Sequence, residues 1–181
     1  MLHIEVDGGE FFNEKTQEFF QVKPQKLIME HSLLSMSKWE ATWKKPFLSN
    51  DNKTLEELYD YFRCMTITPN VSKYTYQCFS QENIKDIHDY IHDPMTATKI
   101  NRLNAGPRRS RVVTTELIYY WMTANNIPFE CEKWHFNRLM MLIQVCGIEN
   151  NPNKKKMGRQ AILRQNAELN AARKAKYHTK G

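Results

Sequence analysis

Three groups of side chains have the types and spacing that chemistry asks for. His88 and His92 lie four apart with Asp89 between them, and a helix would set both imidazoles on one face, as metal ligation needs. A glutamate long enough to serve as general base is missing beside them, and so is a third ligand. Glu82, Asp86, Asp89 and Asp93 therefore read better as a solvated acidic helix face. Cys131 and His135, also four apart, suggest a thiol and its base, but their neighbours are apolar and packing accounts for both. Arg108, Arg109 and Arg111 stand in the aperiodic 95–111 stretch, suited either to clamp phosphate or carboxylates or to solvate a linker. With no nucleophile elbow, phosphate-cradling glycine loop or assisted carboxylate pair, the residues predict no enzyme, no cofactor and no metal.

Charge is placed unevenly along the 181 residues. The chain nets +6, yet residues 154–181 hold nine basic side chains against Glu168 alone, +8, which leaves the remainder at −2. Lys154, Lys155, Lys156, Arg159, Arg164, Arg173 and Lys174 mark this tail as a partner-binding segment. Its only large aliphatics are Ile162, Leu163 and Leu169, and Ala161, Ala167, Ala171, Ala172 and Ala175 form a narrow stripe suited to docking on another helix. Nucleic-acid binding is the alternative use of such a tail. It is expected to be weak and non-specific, because only Tyr177 and His178 accompany the charges as stacking groups. A membrane helix is not expected, since the longest aliphatic run, Leu139–Ile143, is too short and the first ten residues lack a signal peptide's pattern. Cys64, Cys78, Cys131 and Cys146 form no Cys-x-x-Cys pair and are expected to be reduced, packed thiols.

The elements that must position these groups are mainly helical. With 41% hydrophobic residues the chain has the material for a core. Residues 1–34 read as a small β element: Leu2–Val6 alternates, Asp7-Gly8-Gly9 turns, and Glu10–Asn13 and Glu18–Val22 are strands about a Glu14–Gln17 turn. Lys26–His31 fits either a strand or the lead into a helix. Residues 35–146 read as a helical core domain. Ser35–Lys45 carries Met36, Trp39 and Trp43 on one face and ends at Pro46; Thr54-x-x-Glu57 is a capping box for the next helix; Val71–Phe79 is a short helix; and Ser80 caps Gln81–His92. The densest apolar stretch, Thr114–Cys146, reads as an αα-hairpin broken at Asn125–Pro128. Its scaffold is Leu117, Tyr120, Trp121, Trp134, Leu139 and Ile143. Trp121 and Trp134 are expected to be core rings whose loss costs ~3–5 kcal/mol. Residues 147–153 read as a linker and 154–181 as the basic helical tail. The fold class is thus α+β, mainly α with a small N-terminal β element and an extended basic C-terminal helix.

The stretches 30–40 (Glu-His-Ser-Leu-Leu-Ser-Met-Ser-Lys-Trp-Glu), 115–122 (Thr-Glu-Leu-Ile-Tyr-Tyr-Trp-Met), 127–131 (Ile-Pro-Phe-Glu-Cys), 134–139 (Trp-His-Phe-Asn-Arg-Leu) and 169–173 (Leu-Asn-Ala-Ala-Arg) resemble proteins from the structural-gene clusters of long-tailed bacteriophages. The similarity runs over nearly the whole chain, and the role it implies is that of a tail assembly chaperone. Such a protein binds the tape measure protein, keeps its apolar helices soluble, and brings tail tube subunits to it in the host cytoplasm. Family members also come in a short form and a frameshifted longer form; this chain would be the short one. A tail of +8 is more basic than a holdase needs, which keeps open a virion role as head-to-tail connector or minor tail protein contacting neighbouring subunits. A homo-oligomer is compatible with either role.

Overall fold

The chain begins as one long antiparallel hairpin, kinked in the middle. The structure is a computed structural model that describes residues 1–13, 17–49, 51–100 and 112–150, together with residues 163, 164, 166–168, 170, 171 and 173. Strand β1 (Leu2–Val6) pairs with β4 (Gln25–Met29), and β2 (Gly9–Asn13) with β3 (Glu18–Val22). Moving from Val6 to Gly9 on one side moves the partner from Gln25 to Val22 on the other, so the register passes through the kink with nothing inserted. Gly8 makes the kink: its φ is +67°, and a Cβ there would lie 2.2 Å from the Val22 carbonyl oxygen. The β1–β4 half buries Ile4, Val6, Leu27 and Met29, the alternate residues of each strand. The ambiguous 26–31 stretch is therefore mostly strand, and the Glu14–Gln17 turn lies outside the described residues except for Gln17, at φ +54°.

Among the described residues up to 150, five α-helices follow: α1 (Leu33–Trp43), α2 (Leu55–Met65), α3 (Gln81–His92), α4 (Thr115–Ala124) and α5 (Phe136–Glu149). The fold is mainly α with a small N-terminal β element, as the patterning predicts. The caps expected for α2 and α3 form, whereas the one expected from Thr114 or Thr115 at α4 does not. Thr54 and Glu57 exchange side-chain and backbone bonds at the head of α2, and Ser80 with Asn83 does the same for α3. A third box, Ser32 with Ser35, starts α1. The 71–79 stretch is a 3-10 helix, Lys73–Cys78, and a second one, Phe129–Lys133, leads into α5. Helix α5 continues through Gly147–Glu149, so the first residues of the expected linker are helical.

Packing centres on α1, not on an αα-hairpin. Helix α1 packs against α2, α4 and the Phe129–Lys133 turn, while α3 packs on β1. Trp39 is 1% exposed and donates from Nε1 to the Glu57 carbonyl at 2.8 Å; Trp43, half-buried, donates to Asp60 at 3.0 Å. The Trp39/Trp43 pair is therefore anchored in the core, as expected. The face assigned to α4 needs correction. Thr115, Ile118 and Met122 are buried, whereas Leu117 and Trp121 are half-buried and Tyr120 is 65% exposed. The reason is the start of the helix: Thr114 makes no side-chain cap, and Glu40 of α1 supplies one instead. Glu40 Oε2 accepts from the Thr115 amide at 3.0 Å and from its hydroxyl, while Oε1 accepts from the Phe47 amide at 2.7 Å. A carboxylate at a helix N-terminus is favoured there, and it turns Thr115 and everything three and seven residues on toward α1. Trp134 also departs from the expected scaffold, lying at the surface at 37% exposure, while Leu139 and Ile143 are buried as expected.

The chain divides into two units, Met1–Cys146 and Gly147–Gly181. The described residues of the second are exposed and, apart from the turn at Asn150, helical, Arg164 and Arg173 among them. Among the described residues no helix is long and apolar enough to cross a membrane.

Trp39→Ala is expected to cost about 3–5 kcal/mol and Trp134→Ala under about 1, reversing the ranking that sequence density suggests; urea midpoints of the two variants check this. Gly8→Ala should cost at least ~1–2 kcal/mol, because alanine at positive φ adds strain to the collision with Val22. An unchanged melting temperature would show the kink to be unstrained.

Candidate functional site

The side chains best suited to catalysis are buried against one another. His31, at the junction of β4 and α1, shares a hydrogen bond between its Nδ1 and the Tyr61 hydroxyl of α2, 2.5 Å away. Ser35 Oγ gives its own proton to the Ser32 carbonyl at 2.8 Å and lies 3.3 Å from the same Tyr61 hydroxyl. Glu30 accepts from the Tyr90 hydroxyl of α3 at 2.6 Å and sits 3.3 Å from the Met1 amino group. His135 lies edge-on to His31, ring centroids 5.3 Å apart, with Nε2 2.9 Å from the Tyr90 carbonyl. A carbonyl only accepts, so Nε2 holds the proton and Nδ1 is left as an acceptor, buried without a partner among the described residues. Burial, with His135 and then His92 adding to it, pushes the His31 pKa down to about 3, so the ring is neutral. Burial likewise raises the Tyr61 and Tyr90 hydroxyls, the latter further beside Glu30. Buried bonds of this kind fix the relative positions of β4, α1, α2, α3 and α5.

Aromatic surface, by contrast, is open. Phe11 and Phe20, opposite each other on one face of β2–β3, pack on Tyr74 with centroids 5.5 and 4.7 Å away. Strand geometry sends Phe12 and Phe19 to the other face, where their rings pair at 5.0 Å and are 51% and 70% exposed. On Tyr74's side lies an open cleft of about 790 Å³ between α1, α2 and the Lys73–Cys78 turn, walled by Trp43, Tyr59, Tyr74 and Tyr76 with Asp60 and Arg63. Asp60 fixes two of these walls, accepting from Trp43 Nε1 at 3.0 Å and from Arg63 Nε at 2.6 Å. Tyrosine, tryptophan and arginine held rigidly at a surface are the composition of protein-binding hot spots. The sequence carried a legible signal for this arm: Phe11-Phe12 and Phe19-Phe20 are adjacent pairs, and in a strand with one packed face, one member of each must face outward.

Of the predicted site residues, Arg108, Arg109, Arg111, Lys154, Lys155, Lys156, Arg159 and Lys174 lie outside the described residues. Arg164 and Arg173 are helical and exposed. The scaffold residues Leu139 and Ile143 are gathered into the core, whereas Tyr120 and Trp134 are not. His88 and His92 do share a helix face, ring centroids 4.2 Å apart, but His92 Nδ1 is 2.7 Å from the His88 carbonyl, and no third metal ligand joins them among the described residues. Cys131 is buried, and burial raises its thiol pKa, so it and His135 act through packing. All four cysteines are free thiols. The chain matches no protein-family model, no curated protein and no solved structure.

The neutral His31 makes acid sensitivity an expected property. Below pH ~6.5 the unfolded chain takes a proton on this ring that the folded chain refuses until about 3. Stability from this group is complete above pH ~6.5 and falls by about 1.4 kcal/mol for each pH unit down to pH 3. Urea unfolding at pH 7, 6 and 5 should show this slope, and His31→Gln should flatten it by about that amount.

Proposed function

We propose that this chain is a non-catalytic protein-binding component of tail assembly in a long-tailed bacteriophage, a chaperone that holds the tape measure protein and brings tail tube subunits to it. The supporting observation is the exposed Phe12–Phe19 pair on an arm pinned from behind by Phe11, Phe20 and Tyr74. A holdase must display apolar surface to its client without folding that surface into its own core. Pinning one face of a two-stranded arm achieves this, because the rings on the other face cannot turn inward without breaking the packed face. The tyrosine-walled cleft beside the arm extends the adhesive surface. The tail assembly assignment itself rests on the resemblance of residues 30–40, 115–122, 127–131, 134–139 and 169–173 to such phage proteins.

Co-expression with the tape measure protein should raise the soluble yield of that protein, and Phe12→Ser with Phe19→Ser should return the yield to the level seen without this chain while leaving its own melting temperature unchanged. Purified virions should lack the chain. Stoichiometric recovery from virions by mass spectrometry would replace the chaperone reading with that of a connector or minor tail protein.

A further inference from the structure

Helix α5 carries more apolar surface than its own fold buries. Phe136, Leu139 and Ile143 form the inward stripe, while Met141, Leu142 and Val145 lie half-exposed on another side. With Trp134 and Met95 they line an open groove of about 450 Å³ between α5 and residues 95–98. One charge stands in this lining: the Arg138 guanidinium lies 4.4 Å from the centre of the Trp134 ring. Among the described residues no carboxylate pairs with it.

We propose that this groove is a docking site for an amphipathic helix of another protein, one that presents an apolar stripe to Met141, Leu142 and Val145 and a carboxylate to Arg138. The proposal stands independently of the tail assembly reading. Charge complementarity selects the partner: the site offers one cation and no acid, so an apolar helix bearing glutamate or aspartate completes it, and an arginine over an indole keeps its donors available to a carboxylate. The basic 154–181 stretch, of this chain or of a second copy, has the wrong sign. A helix fits better than an extended strand. Arg138, Met141, Leu142 and Val145 recur at the three- and four-residue spacing into which another helix's ridges pack. The opposite wall offers little to a β-strand, since its Met95 and Thr98 amides already donate to the Asp93 and Thr96 side chains at 2.7 and 3.1 Å.

The test uses the full chain and fluorescein-labelled, alanine-based helical peptides with leucines at positions i, i+3 and i+7 and either a glutamate or a lysine one turn from the first leucine. Anisotropy titration should show saturable binding of the glutamate peptide and none of the lysine peptide. Arg138→Glu should weaken the glutamate peptide about tenfold and admit the lysine peptide. Arg138→Gln, which keeps a polar stem over Trp134, should weaken the first without admitting the second, and it serves in place of the reversal if that variant fails to fold. Equal binding of both peptides, absence of saturable binding, or glutamate-peptide affinity unaffected by either variant would each overturn the proposal; the last would place binding on the basic tail.

Discussion

Residues 30–40 are where β4, α2, α3, α4 and α5 are tied together. The Glu30 amide donates to the Met65 carbonyl at 2.9 Å and joins the end of α2 to β4; the His31 carbonyl accepts from the Phe136 amide at 2.7 Å and sets the start of α5. Glu30 and His135 both reach Tyr90 and so hold α3. Trp39 binds the first turn of α2 through the Glu57 carbonyl, and Glu40 caps α4. Polar bonds made from inside a core are directional, so they determine angles and registers that apolar contact alone leaves loose. Leu33, Met36 and Trp39 supply the burial around them. Removing one partner here leaves the other desolvated, which makes the junction costly to alter anywhere.

The kinked hairpin extends this logic to the surface. Its inner half belongs to the core, and its outer half, past Gly8, is held by Phe11, Phe20 and Val22 on one face. A two-stranded ribbon is marginal by itself, so Tyr74 and the Lys73–Cys78 turn serve as its third layer. The arm is therefore packed on one face and displayed on the other. Elsewhere Glu57 is sealed in by Lys45 and the Thr54 amide, which together hold its carboxyl below the usual range and keep the α2 capping box intact beneath the chain that leaves α1.

Polar and apolar groups divide in an unusual way among the described residues. His31, Ser35, Tyr61, Tyr90 and His135 face inward and meet one another. The aromatic and aliphatic groups that can hold another chain face outward on the hairpin arm, in the tyrosine cleft and along α5. Binding surfaces of this sort need a stiff support, because ordering flexible loops would offset the affinity gained.

By itself the sequence determined the elements whose signals are local. Alternation made β1, the hydroxyl-x-x-acceptor spacings started α2 and α3, and proline and asparagine ended α4, since each depends on residues within a turn or two. It also determined that the fold is mainly helical and that the adjacent phenylalanine pairs of β2 and β3 must divide between two faces. Tertiary structure alone decided which stripe of α4 is buried, because that helix is apolar on most sides and two stripes satisfy the same period; Glu40, seventy-five residues away from Thr115, chose between them. It decided too that α1, shorter on apolar residues than 114–146, is the hub, for a hub is defined by what reaches it. His31 and His135 meet for the same reason: they belong to segments joined by a bridge between Ser32 and His135, and no one-dimensional spacing records that pairing.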